Sequence, residues 1–253
     1  MERSSSQSKM TQPLDHEEAK APSYVREPPS YSKWPRQGHE TADPSELPIG
    51  IHKKYAFRTP RRLVIRHSNH LRTDFDVFVQ SEGTDPSSLP DQNPENFTKI
   101  IDGIGPYFRV LSSINRLWRD SKTNQPLFRV NRRFWQNLYE VSAVNKQGDP
   151  VHEITSIDTN YFRTGGYLLD RFQMCLNGGD GMREYAKIEA KGDSYNKTRL
   201  EVFCDGRKIM KINRTDSWAY LLCMKRLTWV VDLEAGVDAS LAAIIVGLSS
   251  DIL

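Results

Sequence analysis

The chain is poor in the features that usually announce a chemistry. It has 3 cysteines in 253 residues. Cys175, Cys204 and Cys223 are scattered through apolar segments. An odd count without CxxC spacing excludes a disulfide framework and the zinc modules built on paired thiolates. Buried small hydrophobes are the simpler use of such residues. No apolar run approaches the roughly 20 residues that cross a bilayer as a helix. The opening, MERSSSQSKMTQPLDHEEAK, lacks the apolar core of a secretory signal. A cytoplasmic setting is therefore expected, peripheral to membranes if attached to them at all. The sequons at Asn96, Asn196 and Asn213 are then chance matches, because glycosylation requires secretion. A formal net charge of +3 is too small to point to a nucleic-acid partner.

Catalytic signatures are missing as well. Gly178-Gly179-Asp180-Gly181 lies between strand-like segments rather than opening a helix, so it reads as a turn and not a phosphate loop. There is no GxSxG, HExxH or kinase set. The histidines at 16, 39, 52, 67, 70 and 152 show no ligand spacing, although His67 and His70 are near neighbours. No metal and no cofactor are expected. Catalytic groups that meet only in space leave no spacing to read. An enzyme with a dispersed site is thus the rival class to a binding module.

What the chain does contain divides near residue 50. Residues 1–50 are rich in Ser, Pro, Glu and Gln without apolar periodicity. Such a segment cannot bury enough surface to offset the entropy of ordering it, so a disordered tail is expected. Within it, Pro28, Pro29, Ser30 and Tyr31 form a PPxY sequence, and Pro22-Ser23-Tyr24 echoes it. A proline pair followed by an aromatic suits the aromatic-lined groove of a WW domain, and equally suits plain linker chemistry.

Residues 51–253 change character. RRLVIRH and DFDVFVQS alternate in the manner of strands. A long polar loop, SEGTDPSSLPDQNPEN, follows. Short strand-like segments then recur to the end, including FTKII, PYFRVLS, INRLWRD, PLFRV, LYEVSAV, HEITSI, YLLDRFQM, KTRLEVFC and SWAYLLCM. Asp205-Gly206 between two of them is a hairpin signal. No amphipathic helix precedes residue 237, so crossover-linked parallel sheets are excluded. An antiparallel meander that closes on itself is expected.

The last segment explains what such a sheet closes around. TWVVDLEAGVDASLAAIIVGLSSDIL reads as a strand, a turn and a short helix that is apolar on nearly every side. A helix of that kind must be enclosed by protein. Leu241, Ala242, Ile244, Ile245 and Leu248 form its expected core, and Asp238 its N-terminal cap. The fold class is therefore all-β: a closed antiparallel barrel of about twelve strands around a central C-terminal helix.

The ending also resembles the LURP-one-related proteins, part of a wider tubby-like and phospholipid-scramblase-like group. Trp229, Val230, Val231, Asp232, Gly236, Val237, Asp238 and the following small-and-aliphatic helix carry the resemblance. It implies the same barrel around a helix. It further implies phosphoinositide binding through basic surface residues, as in tubby-like members, or lipid movement with calcium, as in scramblase-like ones. The chain lacks a cysteine-rich palmitoylation tract, and Asp232, Glu234 and Asp238 offer too few oxygens for calcium.

One surface stands out. HKKYAFRTPRRLVIRHSNHLR holds Lys53, Lys54, Arg58, Arg61, Arg62, Arg66 and Arg72 with no acid between His52 and Arg72. Lys53, Lys54, Arg58, Arg61 and Arg62 are the candidate set for anionic phospholipid, each worth about 1 kcal/mol near such a membrane. A nucleic-acid backbone is disfavoured, and a merely solvated face is the plain alternative. Arg109, Arg116, Arg119, Arg129, Arg132 and Arg133 extend this patch only if folding sets them alongside. The expected role is a nonenzymatic binding or adaptor protein.

Overall fold

The computed structural model describes residues 47–68, 74–105, 115–133, 138–158, 171–176, 182–183, 185–192, 199–215 and 227–252. The PPxY residues Pro28, Pro29 and Tyr31 lie outside these. So do the strands expected at 106–112 and 217–224 and the glycine turn at 178–181.

Twelve strands form one sheet. They are β1 (Arg61–His67), β2 (Phe75–Gln80), β3 (Phe97–Ile104), β4 (Asn115–Asp120), β5 (Pro126–Arg133) and β6 (Leu138–Val144). Then come β7 (Pro150–Asp158), β8 (Arg171–Leu176), β9 (Ala186–Gly192), β10 (Arg199–Cys204), β11 (Arg207–Arg214) and β12 (Thr228–Leu233). The order β7-β6-β5-β4-β3-β2-β1-β12-β11-β10-β9-β8 is a meander joined in the middle. There β1 pairs antiparallel with β12, Leu63 opposite Val231 and Ile65 opposite Trp229. The sheet curls into a nearly closed barrel around the helix α1 (Ala239–Ile252).

Local chemistry accounts for these elements. Side chains alternate across a strand. In β10 this buries Leu200, Val202 and Cys204. Asp205 and Gly206 both take positive φ, 49° and 85°, the geometry of a tight hairpin turn between β10 and β11. The helix is apolar on nearly every side because the protein encloses it. Leu241, Ala242, Ile244 and Ile245 are 0% exposed and Leu248 is 4% exposed. Facing α1 is a stacked aromatic row, Phe75 to Trp118 at 5.7 Å and Trp118 to Phe128 at 5.5 Å. A Cβ at Gly247 would stand 3.3 Å from Trp118 and 3.1 Å from the Arg116 guanidinium. That close approach explains a glycine inside a helix, where it costs about 1 kcal/mol relative to alanine.

Asp238 does more than cap. One carboxylate oxygen accepts the Ser240 backbone N–H at 2.8 Å. The other accepts Ile51 N–H at 2.8 Å and His52 N–H at 2.9 Å. The segment before β1 is thereby strapped across the start of the helix. Ile49 bridges Val237 in parallel and Ala56 bridges Asp238 antiparallel. Gly50, at φ +146°, permits the crossing, since any Cβ there would collide with Asp238. Burial pushes the Asp238 carboxyl upward against the stabilising effect of its N–H donors.

Candidate functional site

The basic run occupies this strap and the strand that follows it. Lys53–Tyr55 form a single 3-10 turn. Tyr55 is buried and donates its hydroxyl to Asp120 Oδ2 at 2.5 Å. Lys54 donates to the same oxygen. Asp120 Oδ1 accepts the backbone N–H groups of Lys122 and Thr123, each at 2.8 Å. Burial alone would raise the Asp120 carboxyl, but these donors outweigh it and hold it well below the ordinary carboxylate range. Burial, then the bond to Asp120, pushes the Tyr55 phenol far above its ordinary value.

The arginines of β1 are engaged too. Arg61 pairs with Glu82 at 2.6 Å. Arg62 pairs with Asp232 at 2.6 Å and donates to the Pro86 carbonyl at 3.0 Å. Arg66 pairs with Asp91. Lys53 and Arg58 are exposed and make no ion pair among the described residues. The run that looks uniformly basic in sequence is thus split. Lys54, Arg61 and Arg62 face acids supplied from elsewhere in the chain, while Lys53 and Arg58 remain open.

Two of those acids, Glu82 and Asp91, come from the loop 81–96. Its ends are joined by Ser81 N–H to Asn96 O at 2.8 Å. Gln80 holds its middle through the Asp85 carbonyl at 2.8 Å. Asp85 folds back on the Ser87 N–H, a bond that lowers its carboxyl. The loop crosses the outer face of β1, touching Arg62 at Pro86 and Arg66 at Asp91. Between those contacts lies Val64. It alternates away from the interior residues Leu63 and Ile65, yet it is only 1% exposed. Phe78, directly opposite Val64 on β2, sits under the Arg66 guanidinium at 4.8 Å. Phe97, opposite Gln80, and Pro90 are buried as well. Exposed ion pairs are each worth about 0–1 kcal/mol, so the loop is held by many weak contacts.

The neighbouring outer surface is balanced. Lys191 on β9 stands opposite Glu201 on β10, and Glu201 opposite Lys211 on β11. Lys211 stands opposite Asp232 on β12, and Asp232 opposite Arg62 on β1. This alternating ladder across five strands gives each charge an opposite neighbour, worth about 0.2–1 kcal/mol per pair. It leaves no basic field there. Nor do all the later arginines extend the patch. Arg116 and Arg132 alternate onto the interior side, Arg116 fully buried over the Phe75 ring at 4.6 Å and Arg132 over Tyr139 at 5.4 Å. Arg119 and Arg129 lie on the outer side of β4 and β5. Arg109 and the Arg133 side chain lie outside the described residues.

Sequence reasoning missed the acids that meet the basic run: Glu82, Asp91, Asp120 and Asp232. Their separation from their partners, 170 residues for Arg62 and Asp232, hides them from any local pattern. Asp232 stands in the family-like ending, Glu82 and Asp91 in the polar loop, and Asp120 opens the turn SKTNQ, but none of these signals names a basic partner.

The LURP-one-related (LOR) family matches residues 93–248, more than half of the chain. The chain belongs to that family. No curated protein matches it. The strap, β1, β2 and most of the acidic loop precede the matched segment.

Proposed function

We propose that this LURP-one-related protein is a nonenzymatic binding module that docks on anionic phospholipid surfaces. Lys53, Lys54, Arg58, Arg61 and Arg62 are the headgroup-facing set, with Lys53 and Arg58 making first contact. The observation that carries this reading is the pair Lys53 and Arg58, exposed on the strap and making no ion pair among the described residues. Support also comes from the barrel axis, which α1 fills with apolar side chains, so that recognition falls to the outer surface. The charge-balanced ladder from Lys191 to Arg62 disfavours a nucleic-acid backbone, which needs an extended basic stripe.

Flotation with phosphoinositide-containing liposomes tests this. Binding is expected at low salt and should fade as salt shortens the Debye length to about 8 Å at physiological ionic strength. Lys53→Ala with Arg58→Ala should weaken it while leaving the melting temperature unchanged, since both side chains are exposed. A protein that stays with the unbound fraction at low salt removes the lipid reading.

The tail suggests a second arm. Pro28, Pro29 and Tyr31 fit a WW-domain groove, and would make the protein an adaptor between a membrane and a WW-domain partner. Tyr31→Ala should abolish capture by a WW domain without touching the fold. Capture that survives the substitution rejects this arm.

A further inference from the structure

We propose that the loop 81–96 is an internal stand-in for the membrane, and that docking displaces it to uncover an amphipathic face on β1 and β2. This rests on the lipid-binding reading above and adds its regulation. The loop presents Asp91 to Arg66 on the outer face, and Glu82 to Arg61 at the end of β1, where Arg61 shares the parity of Leu63 and Ile65. A carboxylate offers an arginine the same chemistry as a phosphate oxygen, so the loop occupies the positions that headgroups would take. On the outer side that it crosses lie Val64, Phe78 and Phe97, apolar groups set apart from the core inside the barrel. Arginines ringing an apolar centre match the boundary between headgroups and acyl chains.

The loop's attachment is suited to exchange. Its acids are far out in water, the side chain of Glu82 76% exposed and that of Asp91 70% exposed. Their partners are covered instead, with Arg66 at 13%. The cover is therefore held by its wet side, where competing anions reach it first. The loop also carries its own hydrogen bonds, Ser88 N–H to Asp85 O at 3.0 Å and Gln92 N–H to Leu89 O at 3.0 Å. These report on whether it stays folded against the sheet.

The test uses the full chain with vesicles of neutral lipid, with and without phosphoinositide. Glu82→Gln with Asp91→Asn should tighten binding to the phosphoinositide vesicles several-fold. Removing two acids raises net charge anywhere on the surface. The control is therefore Asp149→Asn with Glu153→Gln, exposed acids on the β6–β7 side, which should change binding much less. Amide exchange gives the direct view: on phosphoinositide vesicles, Ser88 and Gln92 should exchange faster than in the free protein. Equal gains from both double variants, or slower exchange at Ser88 and Gln92 on binding, would overturn the displacement. Vesicle binding by the parent with either of those results leaves lipid docking intact and removes only the loop's role. Absence of binding by every variant removes both.

Discussion

The two faces of β1 are built from alternate residues of one seven-residue strand, and they are held by different physics. On the inner face Leu63 and Ile65 are wholly buried against the barrel core. On the outer face Arg62, Val64 and Arg66 are covered by a loop pinned through exposed carboxylates. The inner contacts are lost only if the barrel opens. The outer contacts can be exchanged for other anions while the barrel stands. A single strand thus combines a permanent structural side with a side suited to binding.

The sharpest way to break the comparison is to attack the inside. Ala242→Asp should prevent folding, because an unpaired charge has no compensation in that interior. Ile245→Ala should cost about 2–5 kcal/mol, read from denaturant melts. A soluble Ala242→Asp protein melting like the parent would mean that α1 is not enclosed.

The strap should come next. Asp238→Ala strands the Ile51, His52 and Ser240 N–H groups, at about 1–3 kcal/mol for each buried donor left unmet, less whatever local relaxation recovers. Gly50→Ala should act similarly by collision with Asp238. Protease cutting between residues 47 and 58 in either variant, with the barrel intact, is the expected signature.

Asp120 gives a pH-dependent step. Its folded-state carboxyl is depressed, so its contribution is complete above the unfolded value near 3.9 and is lost as pH falls through the folded value. Stability of the parent should decline on acidification from about pH 5 downward. Asp120→Asn should flatten that decline and lower stability at neutral pH by about 1.5–3 kcal/mol. An unchanged acid limb would show that the Lys54, Tyr55 and Asp120 contacts do not form in solution.

The smallest effect should come from the ion pairs of the loop 81–96. Glu82→Gln with Asp91→Asn should change stability by no more than about 1 kcal/mol, even though both pairs are well formed. A larger loss would make the outer face as structural as the inner one.

Much of the inside was legible before the fold was known. The run from Leu241 to Leu248 admits no solvent-facing side, and Asp205-Gly206 marks its hairpin by the conformation glycine permits. Asp238 reads as a cap because it precedes the helix directly. Its second role, holding Ile51 and His52, depends on contacts 187 and 186 residues away and leaves no local trace. The outer face was legible only in part. The basic run is visible as composition, but its division follows from register: β12 sets Asp232 beside Arg62, and the loop sets Asp91 beside Arg66. The polar composition of 81–96 says loop, and does not say that it lies on Val64. Likewise Arg116 reads as a surface arginine until strand parity turns it inward onto Phe75.

Native-state amide exchange of the free protein tests the contrast between the faces most directly. Amides of α1, such as those of Ile244 and Ile245, should exchange only with global unfolding, tracking the full stability as denaturant is added. Ser88 and Gln92 should exchange through a local opening of much lower free energy that barely responds to denaturant. If the loop amides instead share the free energy and denaturant slope of α1, the outer cover is part of the same cooperative unit and is not exchangeable.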